Sequence, residues 1–142
     1  MDDHDLQRFV DAQAPHRADV DAELAAGRKR THWMWFVFPQ MRGLGRSAMA
    51  RHFGIASRAE AAAYLAHPVL GPRLRADVAA LLAMAGRGAH AIFGSPDDLK
   101  LRSCLTLFRA VDAPGGVFER ALVKFFGGEP DPMTLQLLAD SE

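Results

Sequence analysis

The sequence predicts a single all-α domain of seven to eight short helices over residues 1–142. Three observations support this prediction. Apolar residues recur at helical spacing, no segment indicates a strand convincingly, and glycine or proline punctuates the short connections. Of the 142 residues, 49% are hydrophobic and 24% are charged. These values are typical of one globular unit with one hydrophobic core, and they exclude a largely disordered chain.

Two helices are predicted before residue 28. Pro15 separates them, because it interrupts the first helix and suits the first turn of the second. Gly27 ends the second helix, in which Val20 and Leu24 form the inward pair. The inward face of the first helix consists of Leu6, Phe9, Val10 and Gln13.

The aromatic run THWMWFVFPQ, residues 31–40, contains both tryptophans of the chain. An apolar piece this short fits either a buried strand or a short helix. We favour a helix or an irregular segment, because nothing else in the chain resembles a partner strand.

Capping signals predict the remaining helices. Ser47 can cap a short helix, and Ser57 with Glu60 forms a capping box. The string SPDD at residues 95–98 combines a hydroxyl, a proline and two acids at the positive end of a helix dipole, which is a strong start signal. The predicted helices cover residues 47–52, 57–66, 72–85, 96–111, 117–126 and a short segment after 131.

Charge is balanced in total but not along the chain. The chain has 17 basic and 17 acidic residues, which predicts no general attraction to nucleic acid or to a membrane surface. Residues 1–26 hold seven acids and two bases, whereas residues 25–58 hold seven bases and no acid. Either these two stretches attract each other in the fold, or the basic stretch is a surface for an anionic or aromatic partner.

Several compartments and site types are excluded by composition. The single cysteine, Cys104, excludes an internal disulfide and a multi-cysteine zinc site. The six histidines show no metal-ligand spacing, so neither a metal nor another cofactor is expected. The N-terminus lacks the apolar run of a secretory signal, and the longest apolar run, residues 33–38, is too short to span a membrane. We therefore expect a cytoplasmic protein.

The basic stretch contains most of the residues that we expect to bind a ligand. Indole rings can stack on a base, and arginine and lysine can hold phosphate. We expect residues 28–47 and 97–106 to share one cleft. The predicted ligand-binding residues are Arg28, Lys29, His32, Trp33, Trp35, Gln40, Ser47, Lys100 and Ser103.

Two of these residues are also candidates for catalysis. A histidine such as His32 can transfer protons near neutral pH, and a lysine one turn away, Lys100, can in principle activate Ser103. Structural roles stay open as alternatives. His32 can be a hydrogen-bonded structural histidine, Ser103 can tie two helices together, and the aromatic run can be plain core.

Several local strings occur together in a known family. They are LQRF at 6–9, GRK at 27–29, HWMWFVFPQ at 32–40, GLGRS at 43–47, HPVLG at 67–71, IFG at 92–94, DDLK at 97–100 and TLF at 106–108. On these strings the chain resembles the small bacterial family labelled domain of unknown function eighteen-ten, over nearly its whole length. The resemblance implies a compact helical protein without an established activity. The label calpastatin, given to some members, implies a long, disordered, repeated inhibitor, which this chain does not resemble.

The sequence predicts a small cytosolic helical protein with one pocket for an anionic aromatic metabolite, such as a nucleotide derivative. The alternative is a protein-interaction module or a homodimer with an aromatic interface and no small-molecule site. A hydrolase or transferase that uses His32 or Ser103 is a third interpretation.

Overall fold

The computed structural model describes residues 4–141, and in this part of the chain the fold is helical without a strand. The predicted all-α class is confirmed. No described helix is long and apolar enough to cross a membrane. The helices are α1 (Gln7–Gln13), a 3-10 turn (Ala14–His16), α2 (Arg17–Ala26), α3 (Met34–Val37), α4 (Ala48–His52), α5 (Arg58–Ala66), α6 (Leu70–Ala83), α7 (Ala89–Phe93), α8 (Asp97–Arg109), α9 (Val117–Phe126) and α10 (Pro132–Asp140).

The aromatic run forms one helical turn, α3, with irregular segments on both sides. This agrees with the interpretation that we favoured. After α3, one isolated parallel bridge joins Met41 to Ile55. In that bridge Arg42 N donates to Ile55 O at 2.8 Å, and Ile55 N donates to Gln40 O at 3.0 Å. The bridge fixes the end of the aromatic run against the segment between α4 and α5.

α6 begins at Leu70, two residues before the predicted start at Pro72. The ring nitrogen Nδ1 of His67 accepts hydrogen bonds from the backbone N–H groups of Val69 (3.1 Å) and Leu70 (3.2 Å). Since Pro72 lies in the first turn, its missing N–H leaves no intrahelical hydrogen bond unmade. A side chain at Gly71 would lie 2.0 Å from Leu65 O, so only glycine allows α5 and α6 to approach this closely.

α8 runs through the core. Its residues from Cys104 to Phe108 are all buried, and α7, α9, α10 and α5 pack around it. Tyr64 joins Phe9 (ring centroids 5.1 Å apart) to Phe108 (5.2 Å), which in turn contacts Phe118 at 5.6 Å. These packed rings link α1 and α5 to α8 and α9. The helices of the N-terminal half are therefore held against α8 by contacts in the hydrophobic core.

Candidate functional site

A cleft of about 320 Å³ lies between the loop before α3 and the start of α8. Two segments that are distant in sequence form it, residues 29–35 and residues 93–100. The sequence analysis expected residues 28–47 and 97–106 to share one cleft, and parts of both line it, whereas residues 36–47 and 101–106 do not. The lining residues are Lys29, Arg30, His32, Met34, Trp35, Phe93, Ser95, Pro96, Asp97 and Lys100.

The cleft brings together Lys29, His32, Trp35 and Lys100 of the nine predicted ligand-binding residues. Of the other five, Ser47 and Gln40 have local structural roles, and the side chain of Arg28 has none that the structure shows. Arg28 is exposed in the same loop but does not line the cleft. Ser47 caps α4, because its hydroxyl accepts from Ala50 N at 3.1 Å. Gln40 belongs to the bridge between residues 41 and 55, where its carbonyl accepts from Ile55 N.

Ser103, a catalytic candidate as well as a predicted ligand-binding residue, does not line the cleft. It is buried, and its hydroxyl lies 2.9 Å from the Asp131 carboxylate at the start of α10. The same carboxylate oxygen accepts from Thr134 Oγ1 at 2.6 Å. Ser103 therefore ties α8 to α10, which is the structural alternative considered for it, and Lys100 contacts Asp97 instead.

The two tryptophans have different environments. Trp33 is 0% exposed and packs against the rings of Phe38 (6.0 Å) and Phe93 (6.5 Å). Trp33 was predicted to bind the ligand, but it does not line the cleft and is a core residue instead. Trp35 is half-buried and lines the cleft. Because the phenylalanines of the run are also buried, Trp35 is the aromatic side chain that this run offers to a ligand or a partner.

Glu23, on α2, orders the loop that carries the cleft cations. Its carboxylate accepts from Arg30 N (2.5 Å), Thr31 N (2.9 Å), Thr31 Oγ1 (2.7 Å) and Trp33 Nε1 (3.1 Å). Desolvation by burial raises the pKa of Glu23, but these hydrogen bonds outweigh it and lower the pKa from 4.5 to about 2. The acidic N-terminal stretch thus meets the basic stretch at Glu23 through backbone N–H groups.

We expect Glu23 to make stability depend on pH. A carboxyl whose pKa falls on folding stabilises the protein fully above its unfolded pKa of 4.5, and this contribution is lost as pH falls toward about 2. Glu23→Gln should lower the free energy of unfolding by about 2 kcal/mol near neutral pH, since hydrogen bonds to a charged acceptor are replaced by neutral ones.

Urea unfolding of both proteins, near neutral pH and near the folded pKa of Glu23, measures this effect. The difference between wild type and Glu23→Gln should shrink in acid. The matched control is Glu129→Gln, which removes a carboxylate that is 81% exposed and should change little. A difference that stays constant with pH would contradict the role given to Glu23.

Asp97 connects the two lysines of the cleft. Its Oδ2 lies 2.8 Å from Lys29 Nζ, and its Oδ1 lies 3.4 Å from Lys100 Nζ. Lys29 is only 7% exposed and also lies over the Trp33 ring, 5.1 Å from its centroid. One carboxylate is therefore shared by two ammonium groups, and with Arg30 at the edge the lining carries excess positive charge.

Lys100 and His32 lie beside the Trp35 ring. The Lys100 ammonium is 5.3 Å from the ring centroid of Trp35, within cation–π range. The His32 ring is 6.5 Å from the same indole, with an interplanar angle of 33°. His32 is exposed at the mouth of the cleft, where a bound molecule can reach it.

Sequence reasoning omitted several lining residues, chiefly Arg30, Phe93 and Asp97. Asp97 and Lys100 are spaced i, i+3 on a helix, and that spacing was the available signal for Asp97. Arg30 stands next to Lys29, but nothing in the sequence indicates which side chain of the Arg28–Lys29–Arg30 string points into the cleft. Phe93 belongs to α7, a one-turn helix without a sequence signal of its own.

Comparison with known proteins finds similarity to proteins of unknown function. The model of a family described as "Protein of unknown function (DUF1810)" matches residues 3–138. The chain is also similar to a conserved hypothetical protein from Mycobacterium tuberculosis, whose crystal structure was determined at 1.38 Å. The two share 52% sequence identity and a TM-score of 0.94, over 96% of this chain and 97% of the other. No curated protein matches this sequence.

Proposed function

Because this chain belongs to the DUF1810 family of proteins of unknown function, we propose its function from the cleft itself. The cleft binds a small anionic aromatic metabolite, such as a nucleotide derivative. The observation that carries the proposal is the half-buried Trp35 indole with cations beside it. The proposal places the protein in the cytosol, in keeping with its single, buried, unpaired cysteine, Cys104.

The aromatic part of the ligand stacks on Trp35. An indole face stacks bases of any identity, at about 1–3 kcal/mol per base. In the present structure the Lys100 ammonium lies over this ring. Lys100 has a flexible four-carbon side chain, and its contact with Asp97 is 3.4 Å long. It can therefore move off the Trp35 ring when a base stacks there, and bind the anionic group of the ligand.

The anionic part is bound by Arg30 and Lys100. Lys29 is held by Asp97 at 2.8 Å and by the Trp33 ring, so its role is to anchor the loop and to add positive charge. Arg30 is exposed, and its backbone N–H is fixed by Glu23. A guanidinium on a fixed loop suits two-point contact with a phosphate.

The volume of the cleft limits the size of the ligand. Small-molecule sites usually have volumes of about 300–1,000 Å³. At about 320 Å³ this cleft lies at the lower end of that range. The size therefore favours a mononucleotide, with one base and one phosphate group, over a dinucleotide.

Calorimetric titration with AMP, adenosine and ribose 5-phosphate tests this proposal. AMP should bind most tightly, because it alone carries both the ring and the phosphate. Trp35→Ala should weaken AMP binding by about tenfold or more, which corresponds to the lost stacking energy. The effect on ribose 5-phosphate should be much smaller, since that ligand has no aromatic ring.

A matched pair of arginine variants distinguishes binding in the cleft from non-specific electrostatic attraction to the basic loop. Arg30→Gln removes a cation that lines the cleft, whereas Arg28→Gln removes one from the same loop that does not. Only Arg30→Gln should weaken AMP binding substantially. If wild type binds none of the three compounds at millimolar concentration, or if both variants weaken AMP equally, the proposal fails.

A further inference from the structure

A second basic cavity, of about 480 Å³, lies where the segment before α1 meets the end of α4 and the start of α5. It shares no lining residue with the cleft at Trp35. We propose that this cavity is a second anion site and that it takes a phosphate-bearing ligand. Its lining residues are His4, Asp5, Arg8, Arg42, Arg51, His52, Ala56 and Glu60.

Arg8 makes the floor of this cavity rigid. Its side chain is 8% exposed, and all of its guanidinium nitrogens are engaged. They donate to the backbone oxygens of His4 (2.6 Å), Asp5 (2.8 Å), His52 (2.9 Å) and Gly54 (3.2 Å), and to Glu60 Oε2 at 2.7 Å. One side chain thus holds three segments in place, so the cavity is formed before any ligand arrives.

Arg42 stands on a fixed part of the backbone. Its N–H donates to Ile55 O in the isolated bridge, and its Nη2 lies 3.3 Å from Gly54 O. The two segments joined by this bridge approach each other closely, because a side chain on Gly54 would lie 2.7 Å from Arg42 Cα. The position of Arg42 is therefore set by main-chain packing.

The charges of the cavity favour an anion. The positive charge of Arg8 is matched by Glu60, which is also buried. Within residues 4–141, neither Arg42 nor Arg51 forms an ion pair with a carboxylate. Asp5 is the remaining acid of the lining, so two guanidinium groups face one carboxylate. His4 and His52 add further hydrogen-bond donors.

Guanidinium groups in this arrangement suit an oxyanion, and a phosphate group offers them more negative charge and more acceptor oxygens than a carboxylate does. Each planar group can donate two parallel N–H bonds to phosphate oxygens. Arg51, at the end of the short helix α4, is exposed, and within residues 4–141 its side chain makes no hydrogen bond that a ligand would have to displace. A ligand with two phosphate groups can engage both Arg42 and Arg51, and inorganic pyrophosphate is the simplest probe of that chemistry.

The test is a calorimetric titration of pyrophosphate into protein in which the first cleft is disabled by Arg30→Gln and Lys100→Gln. This background should still bind pyrophosphate at one site. Adding Arg42→Gln and Arg51→Gln should weaken binding by about tenfold or more. Adding Arg87→Gln and Arg120→Gln instead removes the same charge from exposed positions outside the cavity and should change affinity less than about twofold.

Two results would overturn the proposal. One is no pyrophosphate binding by the background protein at millimolar concentration. The other is an equal loss in the two charge-matched variants, which would show general attraction to a basic surface. Circular dichroism of every variant verifies that the fold is retained. Because AMP binding at Trp35 is measured separately on the unmodified protein, failure of this second site and failure of the first are distinguishable.

Discussion

Replacing Trp33 with alanine is expected to lower the free energy of unfolding by about 3–5 kcal/mol. The indole is completely buried between Phe38 and Phe93, so its loss leaves a large cavity. Its N–H also donates to Glu23, and that acceptor would lose one of its partners. Trp35→Ala, which truncates a half-buried ring beside the cleft, should cost about 1–2 kcal/mol.

Urea denaturation followed by circular dichroism measures both variants without relying on tryptophan emission. Trp33→Phe serves as the intermediate case, because it keeps most of the buried ring and loses the hydrogen bond to Glu23. The order of stability should be wild type, then Trp35→Ala, then Trp33→Phe, then Trp33→Ala. Equal losses for Trp33→Ala and Trp35→Ala would contradict the assignment of one indole to the core and the other to the cleft.

Arg8→Met is expected to cost about 3–5 kcal/mol, because breaking a buried ion pair leaves its partner charged and unpaired. Glu60 is buried, and among the residues that the structure describes its carboxylate would keep only the hydrogen bond from Ala56 N at 3.2 Å. Four backbone oxygens would also lose a donor. The Arg8 side chain is thus a tie between α1, α4 and α5 as well as the floor of the second cavity.

A double-mutant cycle with Glu60→Gln measures this interaction. The combined variant Arg8→Met/Glu60→Gln should be less destabilised than the sum of the two single variants, since no unpaired charge remains. Chemical denaturation gives the coupling free energy directly. Additive single effects, or a cost of Arg8→Met below about 1 kcal/mol, would contradict a buried, fully bonded Arg8.

The helices were largely predictable because their signals are local. Capping serines at 47 and 57 accept the backbone hydrogen bonds that the sequence predicts for them. The start of α6 was missed because the N-cap, Val69, has no capping side chain, and the ring of His67, two residues earlier, accepts from the first backbone N–H groups instead. α7 was missed because a one-turn helix is too short to show a period.

The site was only partly predictable because its geometry depends on distant contacts. Asp97 and Lys100 follow from their i, i+3 spacing on a helix, but the same spacing from Lys100 also suggested Ser103, which instead contacts Asp131. Trp33 and Trp35 look equivalent in the sequence. Trp33 precedes α3 in a non-helical conformation (φ −137°, ψ 6°), and its contact with Glu23 on α2 has no sequence signature.

The most direct test of the binding proposal is heteronuclear NMR of the two indole N–H signals during a titration with AMP. Trp33→Phe identifies which signal belongs to which tryptophan. We predict that the Trp35 signal shifts and saturates, because the base stacks on that ring, while the Trp33 signal, buried and bonded to Glu23, changes little. A Trp35 signal that stays unmoved at millimolar AMP would contradict the proposed function.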